Sequence, residues 1–407
     1  MPIGARSLII KNTTANGRKI PGFSDTIKLL KIRGEAMQNA VPNGEGGMLA
    51  VLGSKIEIIE DLLSENKNNF IAQIANDNSE GQIVLSGKNR DIEKLIGLPL
   101  IFAADCIGTT AELAVTSQKT GGVVLLENTR FHEGEEKNSI AFAKSLAKLA
   151  DIYCNDAFSC AHRAHASTEA IAHLLPTCSG KLMEEELQSL ETTLTKPERP
   201  LTAIVGGSKV STKLDLLKNL IQKVDTLIVG GGMANTFLLA KGFSIGASLA
   251  EHKMKNNACM ILDTAQKVGC KILLPSDVVV AKQLNSDVEN FVVPVTDCPS
   301  DLMILDVGPK TLENAKGILV NSKTVIWNGP LGAFEIKPFD QATNILANFV
   351  SNLSYNEKLI SIAGGGDTLA ALNNAEASDG FSYLSTAGGA FLEWMEGKKL
   401  PGIAALE

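Results

Sequence analysis

Five glycine-rich segments in the second half of the chain carry residue types that suit a phosphate ligand. They read VGGSK (205–209), VGGGMA (229–234), WNGPLGAFE (327–335), AGGGDT (363–368) and STAGGA (385–390). Glycine lets a ligand approach the backbone closely, and a helix that begins just after it offers N–H groups to an anion. Tight packing of a strand against a helix is the alternative use of each segment. Five of them in one chain favour phosphate binding.

Two lysines follow the first glycine segment. Lys209 and Lys213 are four residues apart, so they share one face of a helix if that helix begins at Val210. The segment GGSKVSTK is not a Walker A loop, because no glycine directly precedes Lys-Ser/Thr. Two unrelated surface lysines are the alternative to a cationic phosphate site.

The elements that must position these groups alternate along the chain from Pro99 onward. Short apolar runs predict strands, among them LPLIFA, VVLLEN, TAIVGG, DTLIVGG, KILLPSDVVVA, TVIWNG and LISIAGGG. Helix-like stretches such as STKLDLLKNLIQK and FDQATNILANFVSN fall between them. Apolar runs without alternation, separated by helices, are typical of parallel sheets covered on both faces. Ligands of such sheets bind where strand carboxyl ends meet helix amino ends, which is where the glycines lie.

Composition narrows the class of protein. Hydrophobic residues make up 44% and charged residues 20% of the 407 residues, which is typical of a soluble globular α/β protein. The formal net charge of −7 gives no support for a nucleic-acid or membrane partner, and the apolar runs are far shorter than the roughly 18 residues that span a bilayer. The first residues lack the apolar core of an export signal. Seven cysteines without C-x-x-C spacing predict free thiols in a reducing cytoplasm.

From about Pro99 to the C-terminus the chain resembles phosphoglycerate kinase. The similarity rests on LLENTRFHEGEEKN, ADIYCNDAFSCAHRAHAST, VGGSKVSTKLDLLKNL, LDVGPKT, IWNGPLGAFE, IAGGGDT and LSTAGGAFLEWMEGKKLPG, in that family's order. It implies a monomeric, two-lobed enzyme whose first lobe holds 3-phosphoglycerate and whose second lobe holds MgATP or MgADP. It also implies that a helix over Met183–Leu194 connects the lobes and that the tail near Lys398–Glu407 packs back on the first lobe.

The resemblance assigns roles in the second lobe. It implies that Lys213 contacts the nucleotide and the phosphoryl group in transit, with Lys209 close by. It implies that Asn328 and Glu335 hold the ribose.

The resemblance also identifies a phosphate loop, formed by Gly365, Gly366, Asp367 and Thr368. Asp367 corresponds to a magnesium ligand, and a carboxylate is a hard oxygen donor that suits this ion. Capping of the following helix is the alternative role for Asp367 or Thr368.

On the acid-substrate side, the resemblance implies that Arg130 and Arg163 clamp 3-phosphoglycerate. Planar guanidinium forks suit carboxylate and phosphate oxygens. His162 and His165 have the i,i+3 spacing of a metal pair, but the family similarity favours a position in or beside the basic cleft.

Residues ahead of Pro99 do not fit that family. The segments Arg-Val-Asp-Phe-Asn and Ser-His-Leu-Gly-Arg-Pro, with the arginine between them, supply much of the family's 3-phosphoglycerate pocket, and neither is present. Phe23 to Lys94 instead resembles the small ferredoxin-like subdomain of malonyl-CoA:acyl-carrier-protein transacylase, with Arg33 where that enzyme pairs an arginine with the malonyl carboxylate. Its nucleophile elbow is missing, because GARSLII around Ser7 lacks the second glycine and the preceding histidine.

The two resemblances divide the chain at a seam near Glu93–Leu98. The predicted fold is α/β, a two-lobed parallel-sheet kinase with a complete Rossmann-like C-terminal lobe and an incomplete N-terminal lobe that carries a ferredoxin-like α+β insert. The predicted segments are an unassigned N-terminal part (1–22), the ferredoxin-like unit (23–98), a partial 3-phosphoglycerate lobe (99–182), a nucleotide lobe with the connector helix (183–395) and a tail that returns to the first lobe (396–407).

The predicted function is reversible phosphoryl transfer between ATP and 3-phosphoglycerate, with Mg²⁺ as cofactor. Catalysis is predicted to be impaired, because loss of one transition-state arginine reduces the rate of phosphoryl transfer by roughly 10³–10⁵. The alternative is a recombinant chain that binds MgATP or MgADP without turnover. Transacylase activity is less favoured, since acyl transfer needs an activated nucleophile.

Overall fold

The computed structural model describes residues 46–52, 63, 72–79, 82–88, 100–118, 122–385 and 387–407. The chain forms two compact units, Met1–Glu127 and Asn128–Glu407. The predictions for residues 1–22, for Ser7 and Arg33, and for the seam at Glu93–Leu98 lie outside the described residues. Within the described ranges, no helix has both the length and the apolar character needed to cross a membrane.

The first unit contains an antiparallel sheet of three strands. These are β1 (Gly46–Leu52), β2 (Ala72–Ser79) and β3 (Gln82–Lys88), in the order β1-β3-β2. The central strand β3 pairs Val84 with Ala50 on one side, and β2 and β3 pair from Ala72–Gly87 to Ser79–Gln82. A central third strand with antiparallel neighbours is compatible with the predicted ferredoxin-like unit.

The run LPLIFA begins a different kind of structure. Strand β4 (Leu100–Ala103) leads through helix α1 (Gly108–Thr116) to β5 (Val123–Leu126), and the two strands pair in parallel. Among the described residues, β4 and β5 pair only with each other. Alternate residues of β5, Val123 and Leu125, are each 36% exposed.

The second unit begins with short elements. They are a 3₁₀ turn (Thr129–Phe131), α2 (Glu133–Glu136), α3 (Ile140–Ala147), β6 (Tyr153–Asn155), 3₁₀ turns at Phe158–Cys160 and Ala170–His173, and β7 (Thr177–Ser179). Strands β6 and β7 form a parallel pair. Helix α4 (Lys181–Leu190) follows and ends in a π-helical turn, Glu191–Thr195. Ahead of α4, the parallel strands that the structure describes are thus two separate pairs.

The remaining strands are β8 (Leu201–Val205), β9 (Thr226–Val229), β10 (Lys271–Leu273), β11 (Asp277–Ala281), β12 (Asn290–Pro294), β13 (Met303–Val307), β14 (Thr324–Asn328), β15 (Ile360–Gly364) and β16 (Tyr383–Ser385). The helices are α5 (Leu214–Leu220), α6 (Gly231–Ala240), α7 (Lys255–Val268), α8 (Pro309–Val320), α9 (Gln341–Tyr355), α10 (Gly366–Asn374), α11 (Gly389–Met395) and α12 (Pro401–Ala404).

Six of these strands form one parallel sheet, in the order β10-β9-β8-β14-β15-β16. Successive residues of β8 enter different cores: Ala203 and Val205 pack on one face, and Ile204 packs on the other. Burial on both faces explains why these strands read as continuous apolar runs. The predicted α/β class, with a complete Rossmann-like sheet, is confirmed. The order reverses between β8 and β14, and ligands of such sheets bind at that switch point.

The single strand predicted over KILLPSDVVVA is wrong. The structure divides it into β10 and β11, which belong to different sheets, with Pro275 between them. Proline lacks the N–H that a continuous strand would use there. Strand β11 instead forms the centre of an antiparallel sheet with β12 and β13.

The C-terminal tail packs against residues of the 99–182 segment. The Gly402 N–H donates to the Ala161 carbonyl at 2.9 Å, and Asn155 Nδ2 donates to the Gly402 carbonyl at 3.2 Å. Leu400 is buried in the same core as Ala161. The tail is therefore held by backbone hydrogen bonds and by apolar packing.

A buried carboxylate fixes the start of α8. Asp277 accepts hydrogen bonds from the Thr311 N–H at 2.7 Å, from the Thr311 hydroxyl at 2.6 Å and from the Lys310 N–H at 3.0 Å. Gly308, at the N-cap, supplies no side chain. A carboxylate is favourable at a helix amino end because it satisfies unpaired N–H groups and complements the helix dipole.

Replacing Asp277 by alanine is expected to destabilise the second unit by about 2–4 kcal/mol, because it leaves buried donors unpaired. Urea unfolding followed by tryptophan fluorescence measures this, since both tryptophans, Trp327 and Trp394, lie in that unit. The matched control is Asp263→Ala, which removes an exposed aspartate from α7 and should change stability by less than about 0.5 kcal/mol. Equal losses in the two variants would contradict the capping role.

Candidate functional site

The carboxyl ends of β8, β14 and β15 approach one another so closely that only glycine fits between them. The Gly206 N–H donates to the Asn328 carbonyl at 3.0 Å, and a Cβ atom at position 206 would lie 1.8 Å from the Pro330 carbonyl oxygen. Gly365, after β15, has φ +98°, a conformation that side chains disfavour. The glycines at these two positions therefore allow the strand ends to pack closely against each other.

Lys213 bridges the two strands at the switch point. It ends the 3₁₀ turn Ser211–Lys213, and its Nζ donates to the Gly206 carbonyl at 2.7 Å, to the Asn328 carbonyl at 3.1 Å and to Asn328 Oδ1 at 2.6 Å. An ammonium group has three N–H donors, so these acceptors account for all of them. All three acceptors are neutral oxygens, which leave the positive charge of the ammonium available to an anionic ligand.

Burial lowers the pKa of Lys213 from its usual value to about 8, and the negative charge of Asp367 acts in the opposite direction. The amine is therefore mostly protonated at pH 7 and half protonated about one unit higher. Lys213 is therefore a cation at neutral pH, although burial makes its charged form less favourable than it is in water.

Asn328 and Thr368 join the ends of β14 and β15. Asn328 Nδ2 donates to the Gly364 carbonyl at 2.6 Å, and the Thr368 hydroxyl donates to the same carbonyl at 2.9 Å while it accepts from the Gly329 N–H at 2.8 Å. Both residues are buried. Their side chains support the site in this structure, and a ribose contact by Asn328 stays a prediction.

Helix α10 begins at the phosphate loop predicted from the sequence. Gly366 and Asp367 are exposed in its first turn, and the N-cap position is Gly365, which offers no capping side chain. First-turn N–H groups and the positive end of the helix dipole favour an anion here. Lys213, Asn328, and the loop 365–368 are therefore brought together at the switch point.

Lys209 and Glu335 make none of the described hydrogen bonds that join Lys213, Asn328 and the loop 365–368. Both are exposed. Despite desolvation, hydrogen bonds from Ser211, one of them from its N–H at 2.9 Å, lower the pKa of Glu251, and the Lys209 charge adds to this effect. A shared face for Lys209 and Lys213 was predicted for a helix that begins at Val210. The structure instead has a 3₁₀ turn that begins at Ser211. Glu335 lies in the loop that follows β14.

Asp306 is a residue of this region that the sequence argument missed. Its Oδ2 accepts from the Ala342 N–H of α9 at 2.9 Å, and a Cβ atom at Gly332 would lie 2.2 Å from its Oδ1. Burial raises the pKa of Asp306 to about 8. The carboxyl group packs under the loop that carries Glu335. A single acidic residue in the apolar run MILDV was the available signal.

Arg130 and Arg163 flank a buried histidine. Burial lowers the pKa of His165, the Glu135 carboxylate opposes this effect, and the charges of both arginines reinforce it. Arg163 Nε donates to His162 Nε2 at 3.3 Å, and burial also lowers the pKa of His162. The histidines are therefore neutral at pH 7, and the positive charge of this cluster comes from the two exposed guanidinium groups.

His162 and His165 differ in the polar atoms nearest to their rings. His165 Nδ1 lies 4.0 Å from Glu135 Oε1, whereas His162 Nε2 faces Arg163. These contacts place His165 beside a carboxylate and His162 beside a guanidinium group, and the role of the two histidines stays a prediction.

A parallel sheet with glycine loops, a lysine ammonium and a helix amino end at its switch point is typical of the class of α/β proteins that bind phosphate groups. The family model described as phosphoglycerate kinase matches residues 50–398, so the chain belongs to the phosphoglycerate kinase family. The matched range includes part of the segment 23–98.

Known relatives agree with this assignment. A phosphoglycerate kinase of Ruegeria sp. (strain TM1040) is 60% identical over 316 residues, which cover 78% of this chain and 80% of that protein. The structure of phosphoglycerate kinase from Coxiella burnetii matches with a TM-score of 0.72 and 43% identity, over 78% of this chain and 79% of that one. A malonyl CoA-acyl carrier protein transacylase from Clostridium perfringens matches with a TM-score of 0.17 and 21% identity, over 42% of this chain and 65% of that one. A TM-score this low does not indicate a common fold.

Competitive acylation of lysines between pH 6 and pH 11 should show half-maximal reactivity of Lys213 near pH 8. Replacing Asp367 by asparagine should lower the pKa of Lys213 further, because the Asp367 charge raises it. The control is Asp263→Asn, which changes an exposed residue of α7 and should leave the titration of Lys213 unchanged, because Asp367 is the charge that acts on Lys213. A titration that is insensitive to Asp367→Asn would show that the two groups do not interact.

Proposed function

We propose that this protein transfers a phosphoryl group between ATP and 3-phosphoglycerate, at a rate below that of its relatives. The observation that carries the proposal is the Lys213 ammonium, held by neutral oxygens at the switch point and beside the amino end of α10. Family membership over residues 50–398 supports the reaction type. Phosphoryl transfer depends mainly on positioning and on stabilisation of charge, which such a site offers.

The nucleotide side uses residues of the switch point. Phosphate oxygens accept from the N–H groups of Gly365–Thr368 and from Lys213, which exchanges one of its bonds to Asn328 for the phosphoryl group in transit. Asn328 and Glu335 hold the ribose, and Lys209 adds positive charge at the entrance. Lys213 keeps its bond to the Gly206 carbonyl during this exchange, so its position stays defined.

Asp367 is the proposed ligand of Mg²⁺. Its carboxylate is exposed in the first turn of α10, and one carboxylate combined with phosphate oxygens and water is a set of donors that suits this ion. When bound, Mg²⁺ would neutralise phosphate charge. Asp367 would therefore control the metal dependence of nucleotide binding.

Arg130 and Arg163 form the proposed cradle for 3-phosphoglycerate. Their exposed guanidinium groups act on the same buried His165, so they can approach one small anion. Two planar forks suit the carboxylate and the phosphate of this substrate. His162 and His165, neutral at pH 7, shape the surface without adding charge.

The reduced rate follows from the segment ahead of Pro99. It lacks the sequences that supply much of the acid-substrate pocket in the family, and loss of one arginine that stabilises the transition state costs roughly 10³–10⁵ in rate. A protein that binds MgATP or MgADP without turnover is the second candidate, and the same absence favours it. Transacylase activity is disfavoured because Ser7 lacks the neighbours of an activated nucleophile.

We further propose a monomeric protein of a reducing cytoplasm, without nucleic-acid or membrane partners. The net charge of −7 supports the absence of nucleic-acid and membrane partners. The six free thiols from Cys154 onward support the reducing cytoplasm. The proposed segments are those predicted from the sequence: 1–22, 23–98, 99–182, 183–395 and 396–407.

Calorimetric titration with MgADP tests the nucleotide site. Lys213→Ala is expected to weaken binding about 10- to 100-fold, because a charge-assisted hydrogen bond is worth roughly 1.5–3 kcal/mol. Asp367→Ala should weaken the binding of MgADP more than that of ADP with a chelator. Lys218→Ala, an exposed lysine on α5, is the control and should bind as the unaltered protein does. Absence of MgADP binding in the unaltered protein would refute both candidate functions.

A coupled assay with ATP and 3-phosphoglycerate distinguishes the two candidates. We expect turnover at roughly 10⁻³ of that of the Ruegeria relative or lower, and a further loss in Arg163→Ala. Turnover near that of the relative would refute the impairment alone. Tight nucleotide binding with no turnover would favour the binding protein.

A further inference from the structure

Two cysteines face each other on the parallel pair β6–β7. Cys154 and Cys178 are the central residues of their strands and are directly opposite in the register. Both are exposed, and the Cys178 thiol is close enough to influence the pKa of Cys154. None of the groups assigned to phosphoryl transfer uses either thiol.

The positions of the two residues allow a covalent bond. Neighbouring strands lie about 4.8 Å apart, and disulfides form between residues whose Cα atoms are about 4.4–6.8 Å apart. The two side chains point to the same face of the pair, since residues opposite each other in register share a face. Exposure gives a small oxidant direct access to the pair.

A disulfide between Cys154 and Cys178 would stabilise the strand pair β6–β7 and the elements attached to it. A two-stranded sheet is of marginal stability on its own. The residues next to the pair hold other elements: Asn155 donates to the tail at Gly402, and Asp156 accepts from the Met183 N–H of α4 at 2.9 Å. The chain between the cysteines also carries Arg163.

We infer that Cys154 and Cys178 form a reversible disulfide, which makes them a redox modification site that fastens β6 to β7. The oxidant is a low-molecular-weight disulfide of the glutathione class. This inference does not depend on the proposed function, because it concerns thiol chemistry alone.

The reaction balances in two exchanges. The thiolate of one cysteine attacks the small disulfide, forms a mixed disulfide and releases one small thiolate, which takes up a proton. The second cysteine gives up its proton to solvent and attacks the protein sulfur of the mixed disulfide, which releases the second small thiolate. The protein loses two protons and two electrons, and the small disulfide is reduced to two thiols.

Partial desolvation raises the pKa of Cys154, and the neighbouring Cys178 thiol acts in the same direction. Since the thiolate is the attacking species, oxidation is slow at neutral pH and is best assayed near pH 8.5. An exposed cross-strand disulfide is also readily reduced, which makes the modification reversible.

The test incubates the full-length, reduced protein with oxidised glutathione at pH 8.5 and maps its thiols by peptide mass spectrometry under non-reducing conditions. We expect the loss of one pair of thiols, a peptide linked through Cys154 and Cys178, and recovery of both thiols after addition of reduced glutathione. The mixed disulfide should stay below roughly a tenth of the protein, because intramolecular attack has a high effective concentration.

Single variants separate this pair from other cysteines. Cys154→Ser and Cys178→Ser should each accumulate a stable glutathione adduct on the remaining cysteine of the pair. Cys259→Ser, which removes a half-buried thiol of α7, should form the linked peptide as the unaltered protein does. Separate glutathione adducts on both Cys154 and Cys178, a link through Cys160 instead, or two unmodified thiols in the unaltered protein would each overturn the inference.

Discussion

The Lys213 ammonium is the interaction on which the nucleotide half depends. Strands β8 and β14 run side by side, but the connections that follow them diverge to opposite sides of the sheet, and this divergence opens the crevice. Lys213 spans that crevice by binding the carbonyls of Gly206 and Asn328. One side chain thus satisfies two strand-end carbonyls and places a cation at the switch point of the sheet.

The same contact depends on side chains that hold neighbouring strands in place. Asn328 both accepts from Lys213 and donates to Gly364, and Thr368 ties Gly329 to the same strand end. Trp327, fully buried, adds a hydrogen bond from its Nε1 to the Gly329 carbonyl at 2.8 Å. The cation is therefore set in a network whose members lie far apart in sequence. Such networks resist small rearrangements, because moving one member leaves another buried polar group unpaired.

The sequence predicted much of this half because local patterns record its geometry. Continuous apolar runs marked β8, β14 and β15, and the glycines after them marked the strand ends where backbones touch. It did not reveal the bonds that Asp277 and Asp306 make, because their partners lie 33–36 residues away and no local pattern records such a contact. The depressed pKa of Lys213 was equally hidden, since it follows from burial. Pro275 was a readable signal that should have divided KILLPSDVVVA into two strands.

The contact between the tail and Asn155 limits how early this part of the protein can fold during its synthesis. The bond from Asn155 to Gly402 joins positions 247 residues apart. A ribosome that adds about 5–20 residues each second needs roughly 12–50 s to travel that distance. During that interval the residues around Ala161 lack their partner, so this part of the fold can form only after Gly402 has been synthesised.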